Sequence, residues 1–137
     1  MNDARTSRLR PAGETCGSAQ RTPQRLDLPT MSFDLGHEQE QLRLEESYRA
    51  GDRNARTLVK EAGLRVVLTV MRSGARLEEH KTSGPISIQT LTGHLRLRTL
   101  EETVELPVGH IVMLLGDVAH DVEAVEESAF LLTIASG

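Results

Sequence analysis

Cysteine occurs once, at Cys16, tryptophan is absent, and the aromatic residues stop at Tyr48, Phe33 and Phe130. A single thiol excludes a disulfide within the chain and a thiolate metal cluster, which fits a reducing cytoplasm. So few rings leave almost no stacking platforms for bases. No stretch reaches the roughly 20 consecutive apolar residues of a membrane-crossing helix, so a soluble protein is expected. The charge has no strong sign: 16 Lys plus Arg against 20 Asp plus Glu leave a net −4. Such a balance is too acidic and too mixed for a surface that tracks phosphate backbones. Neither nucleic acid nor a membrane is expected as a partner. A G-x-S-x-G elbow and a Gly-rich phosphate loop are also missing, and Cys16 has no ordered neighbourhood to activate it.

What is present is unevenly distributed. Residues 1–30 are mostly Arg, Ser, Thr, Gln, Gly and Pro. Such a composition buries too little apolar surface to offset ordering entropy, so a disordered polar tail is expected. It has no apolar core of a secretory signal. Arg5, Arg8 and Arg10 among Ser and Thr faintly resemble a transit peptide, but Asp3 and the lack of an amphipathic pattern oppose that reading. A tail, or an extension upstream of a natural start at Met31, is the simpler account. Residues 31–56 read as an arm or short helix, since leucines at 35, 42 and 44 support neither a helical stripe nor alternation. Glu38–Glu46 is either one polar helix or an arm lying along a neighbouring surface.

From Thr57 the pattern changes. Thr57–Lys60, Leu64–Met71, Arg76–Lys81, Ile86–Leu91, Leu95–Leu100, Thr103–Leu106, Ile111–Leu115, Asp121–Val125 and Phe130–Ile134 are short, rich in Val, Ile, Leu and Thr, and separated by Gly, Pro or charged turns. That rhythm predicts an all-β sandwich or barrel over 57–137 with an interior of Leu, Ile, Val and Met. Ile111–Leu115 is apolar on both faces and is expected to be central. Leu95 and Leu97 alternate with Arg96 and Arg98, which describes a strand with one wet face. A turn at Thr99–Glu102 sets Arg98 opposite Thr103 and Arg96 opposite Glu105. A barrel this small has a limited core, so a homodimer is expected, with the outer apolar positions of Leu64–Met71 and Ile86–Leu91 against a second copy and the 31–54 arm crossing over.

The residues best suited to chemistry are two histidines. His120 shares a face with Val122 and Ala124, so it belongs to the interior. Parity in Arg76–Lys81 would expose His80; an interior His80 requires a bulge between Leu77 and His80. His94 alternates with Arg96 and Arg98, His110 follows Gly109 in a turn and His37 lies in the arm, so all three read as surface residues. Arg53, Arg56, Lys60 and Arg65 form a scatter of basic residues, and Glu123, Glu126 and Glu127 read as a soluble hairpin edge.

Residues 57–137 resemble a small single-domain cupin. The first cupin motif runs glycine, five residues, His-x-His, three or four residues, Glu, six residues, glycine. In GARLEEHKTSGPISIQTLTG, Gly74, His80 and Gly93 match it, with Thr82 at the second histidine and Ile86 at the glutamate. The second motif runs glycine, five residues, Pro-x-Gly, two residues, His. In GHIVMLLGDVAH, Gly109 and His120 match it, with Leu115 at the proline, Asp117 at the glycine and Gly116 one place early. The resemblance singles out no enzyme subfamily. It implies an antiparallel jelly-roll β-barrel with a pocket near His80 and His120. Metal-bearing cupins hold iron, manganese, nickel or zinc with three imidazoles and a carboxylate, of which only His80 and His120 remain, with Glu78 as a stand-in carboxylate.

Three functional readings follow. The first is a cupin that binds or senses a small molecule without tightly held metal, with His80, Thr82 and His120 hydrogen-bonding a polar group of the ligand. The second is a metal-dependent enzyme of the dioxygenase, isomerase or decarboxylase kind, with His80 and His120 as ligands to a divalent iron, manganese, nickel or zinc ion. The third is a structural or interaction module whose histidines fill the core.

Overall fold

The computed structural model of the protein describes residues 30–81 and 84–135, with His80 described by its backbone alone. Apart from Thr30, the tail expected over 1–30 lies outside the described residues. Two helices, α1 (Leu35–Leu44) and α2 (Glu46–Arg49), precede nine strands. These are β1 (Arg53–Glu61), β2 (Leu64–Met71), β3 (Arg76–His80), β4 (Ile86–Thr92), β5 (His94–Arg98), β6 (Thr103–Pro107), β7 (Ile111–Leu114), β8 (His120–Ala124) and β9 (Ser128–Ala135). They form a five-stranded sheet, β1-β2-β9-β4-β7, and a four-stranded sheet, β3-β8-β5-β6. Every pairing is antiparallel. The architecture is the all-β jelly roll that the spacing of strands predicts, and among the described residues no helix is long and apolar enough to cross a membrane.

Alternation explains the core. Ile86 and Ile88 of β4, Phe130 of β9, Leu95 and Leu97 of β5, Leu106 of β6 and Val122 and Ala124 of β8 interleave between the sheets with almost no exposure. Thr90, also buried, donates its hydroxyl hydrogen to the Leu106 carbonyl at 2.9 Å, which ties β4 to β6 across the core. The other face of the four-stranded sheet is a ladder of charges. Arg96 lies opposite Glu105 and Arg98 opposite Thr103, the register that the Thr99–Glu102 turn predicts. Arg96 and Arg98 also lie opposite Glu123 and Asp121 of β8. Arg98 reaches Glu123 at 2.6 Å, Arg96 reaches Glu105 at 2.7 Å, and Arg76 reaches Asp121 at 3.0 Å.

The arm is the part that composition described least well. It is both a helix and a docked segment: Asp34 caps α1 by accepting a hydrogen bond from the His37 amide at 3.1 Å. Leu42 and Tyr48 then bury themselves against Leu68, Val70 and Ala129 on the outer face of the five-stranded sheet. Polar contacts fix the dock. Asn54 donates to the Leu42 carbonyl at 2.9 Å, Arg56 bridges Glu38 and Glu45 at 2.6 Å each, and Arg72 stacks 4.6 Å from the Tyr48 ring centre. Tyr48 also donates its phenol hydrogen to the Glu127 carboxylate.

Two expectations are corrected. β7 is an edge strand, not a central one: only Val112 and Leu114 turn towards the core, while Ile111 and Met113 remain exposed on the other face. Apolar residues on both faces do not require that the chain itself cover both. The β2 surface assigned to a second copy is also taken: Leu68 and Val70 lie under the chain's own α1 and α2. β1 starts at Arg53, ahead of the expected Thr57, because the early positions pair with the end of β2.

Tyr48 gives a direct probe of the dock. Burial, followed by its hydrogen bond to Glu127, pushes its phenol above the ordinary tyrosine value near 10. A pKa raised by folding adds stability that is complete below the unfolded value and is lost as pH rises through the folded one. Because the chain has one tyrosine and no tryptophan, tyrosinate absorbance reports this site alone. Titration of the folded protein is expected to give a midpoint above that of the denatured chain, and Tyr48→Phe is expected to flatten the alkaline loss of stability. Coincident midpoints would mean that the dock does not form.

Candidate functional site

His120 opens β8, and alternation sends it inward with Val122 and Ala124, at 1% exposure. The turn before it sets the ring. Val118 donates its amide to the Gly116 carbonyl at 2.8 Å, and the Val118 carbonyl then lies 2.9 Å from His120 Nδ1. A carbonyl can only accept, so Nδ1 carries the hydrogen, an assignment drawn from the hydrogen-bond network. Fixing one ring nitrogen in this way orients the other as an acceptor or a metal donor.

His80 reaches the same place through a defect in its strand. Arg76 pairs with Glu123 and Leu77 with Val122, but the next pair is His80 with His120. Glu78 and Glu79 therefore face the single residue Asp121, which is the bulge between Leu77 and His80 that the resemblance demands. It re-phases the strand so that the two histidines occupy directly opposed register positions. Thr82 lies outside the described residues.

The remaining motif positions decide how well a metal fits. Ile86, at the place of the family's glutamate, is buried in the core and offers no donor atom. Glu78 is exposed, and its charge acts on Arg53. Among the described residues no group of three or more His, Cys, Asp or Glu side chains is placed to hold a metal ion. Closed or catalytic centres draw three or four ligands from the protein. The described positions do not fit such a centre.

The other histidines are accounted for on the surface. His37 and His110 are exposed. His94 Nε2 lies 2.7 Å from Glu105, whose carboxyl is held below the ordinary range by Arg96 first and His94 second. Arg53 and Arg56, expected as part of a basic scatter, are paired with Asp52 and with Glu38 and Glu45. Glu123 and Glu127 are more than a soluble edge, since one joins the charge ladder and the other anchors Tyr48. The group that sequence reasoning missed is the Val118 carbonyl. A backbone atom leaves no mark in residue type, and the only available signal was its place two residues before His120 in the turn that starts at Gly116.

No family model matches the sequence, and no curated protein matches it. Solved structures do. A Streptococcus pyogenes protein of unknown function superposes with a TM-score of 0.66 at 20% identity, over 88% of this chain and 98% of that one. A cupin-2 domain protein of Shewanella frigidimarina gives a TM-score of 0.61 at 11% identity, over 76% and 94%. Salicylate 1,2-dioxygenase of Pseudoaminobacter salicylatoxidans gives 0.67 at 14% identity, over 75% of this chain and 34% of the enzyme. With two antiparallel sheets enclosing an inward histidine, and a bulged strand carrying a second one opposite it, the chain has the cupin fold.

Proposed function

We propose that the protein binds a small polar molecule inside its barrel without a tightly held metal, in the reducing cytoplasm that its lone cysteine fits. His120, His80 and Thr82 supply the polar contacts. The supporting observation is His120 itself. It is a buried imidazole on an otherwise apolar face, its Nδ1 hydrogen is donated to the Val118 carbonyl, and His80 stands opposite it in the register. The imidazole hydrogen-bonds a polar group of the ligand, and the packed apolar core to which Leu97, Val122 and Phe130 belong excludes the water that would compete. The balanced net charge of −4 and the scarcity of aromatic rings favour a small ligand over nucleic acid.

Ile86 in place of a carboxylate favours a metal-free pocket over a metal-dependent enzyme. Elemental analysis of untagged protein purified without chelator is expected to find metal well below one ion per chain. Thermal unfolding against a panel of small metabolites is expected to identify a stabilising ligand, worth about 2.7 kcal/mol when present at 100 times its dissociation constant. His120→Leu and His80→Ala should each abolish that stabilisation. Near-stoichiometric metal that vanishes in the His80→Ala, His120→Ala double variant would instead establish the metal-dependent reading. If there is neither metal nor ligand, and the substitutions only lower stability, the histidines are core filling.

A further inference from the structure

His120 serves a ligand only if a ligand can reach it, and the structure shows the ring shut in. It is 1% exposed, and its strand, β8, is hydrogen-bonded to β3 on one side and β5 on the other. Leu97, Val122 and Phe130 of the same interior are at most 1% exposed. A hydrogen-bonded sheet and a close-packed core admit no small molecule without movement. A way in therefore has to open at the end of the barrel where β8 begins.

Residues 115–119 cross that end, leaving β7 in the five-stranded sheet and entering β8 in the four-stranded one. Val118 anchors them: its side chain packs against the core, and its carbonyl accepts the His120 Nδ1 hydrogen at 2.9 Å. Elsewhere the crossing stands clear of the barrel, with Leu115 80% exposed and Asp117 exposed beside it. Gly116 has a φ of +145° and nothing within 4 Å of where a Cβ would lie, so the chain has both the backbone freedom and the room to turn there. The crossing from β4 to β5 is built the other way. At Gly93 a Cβ would collide with the backbone of Glu127 and Ser128, and the His94 amide is tied to Ser128 Oγ at 2.9 Å. One crossing is locked, and the one beside His120 is not.

We propose that residues 115–119 are a gate over the candidate site, which swings about Gly116, lifts Val118 from the core and releases its carbonyl from His120, so that a ligand enters at the end of the barrel. The inference rests on the small-molecule reading of this site and adds how access to it is controlled. Opening exposes the Val118 side chain and wets the imidazole, which keeps the open state a minor one. Local openings of this kind leave the rest of a domain folded.

Chemical modification of the full chain tests the gate without any ligand. Diethyl pyrocarbonate acylates histidine rings that solvent reaches, and digestion followed by mass spectrometry gives the rate at each one. His37 and His110, both exposed, are references within the same sample. His120 is expected to react at least about tenfold more slowly than His110, at a rate that stays flat as urea rises towards the unfolding transition, because a local opening exposes little surface. Val118→Ala, which takes two methyl groups from the anchor, is expected to speed the reaction of His120 by about three- to tenfold while His37 and His110 keep their rates. Leu115→Ala should change none of the three. A His120 rate that climbs with urea in step with global unfolding, or that equals the rate of His110, overturns the gate. So does a Val118→Ala variant in which His120 reacts no faster. Should that variant lose its fold, the urea series on the unaltered chain decides alone. Because no ligand takes part, the gate stands or falls separately from the metabolite panel.

Discussion

Gly93→Ala is expected to destabilise the protein by about 2–6 kcal/mol, through backbone strain and overpacking of about 1–3 kcal/mol each. Gly93 sits where the chain leaves β4 in one sheet and enters β5 in the other, with φ at +84°. A Cβ there would lie 2.2 Å from the Glu127 carbonyl oxygen and 2.8 Å from Ser128 Cα, which are backbone atoms that no rotamer change can move. Ser128 cannot retreat either. It is fully buried, accepts the His94 amide at 2.9 Å and donates to the Glu126 carbonyl at 2.7 Å. Gly74→Ala is the control: its φ is +87° but nothing lies within 4 Å of the added carbon. That variant should lose only about 1 kcal/mol, the lower end of the strain cost. Urea midpoints of the two variants measure the difference, and equal losses would show that the corner is looser than it is drawn.

Leu42→Ala is expected to cost about 2–5 kcal/mol, the range for deleting a buried leucine side chain. Leu42 is fully buried at the centre of the cluster with Tyr48, Leu68, Val70 and Ala129. Its neighbour in the same helix, Leu44, is 66% exposed, and Leu44→Ala should fall within about 0.5 kcal/mol of wild type. Denaturant unfolding separates these outcomes, and binding of a hydrophobic dye to the Leu42 variant would report the uncovered face of β2 and β9. Equal small effects would mean that the arm merely rests on the barrel.

The contrast between these two leucines explains what the sequence could and could not convey. A strand such as β5 was legible because it has one face in the core and one towards water, so period-two alternation marks it and even fixes the β5–β6 register. The arm was not legible, because a helix docked by Leu42 and Tyr48 and held elsewhere by Asn54 and Arg56 shows no apolar stripe. β7 misled for the opposite reason. A strand apolar on both faces reads as one covered on both sides, yet Ile111 and Met113 are exposed on the outer face of an edge strand. At the site, the inward placement of His120 followed from parity, whereas the bulge that sets His80 opposite it was legible only through the motif. Nothing in Arg76–Lys81 alone calls for an extra residue.

The charge ladder on the four-stranded sheet has a consequence for how the barrel assembles. Exposed ion pairs contribute little individually, about 0–1 kcal/mol, so the ladder is a weak source of stability. Its value is in rejecting misalignment. A two-residue slip of β5 against β8 keeps every leucine facing inward, and the hydrophobic core barely distinguishes it from the native alignment. The slip does, however, carry Arg98 past Asp121 to Ala119, or Arg96 past Glu123 to Val125, and one of the two cross-strand pairs is lost. Arginines on β5, with acids opposite them on β8 and Glu105 opposite Arg96 on β6, therefore favour the native register over a slipped one. High salt should raise the population of misaligned intermediates more than it lowers the stability of the finished barrel.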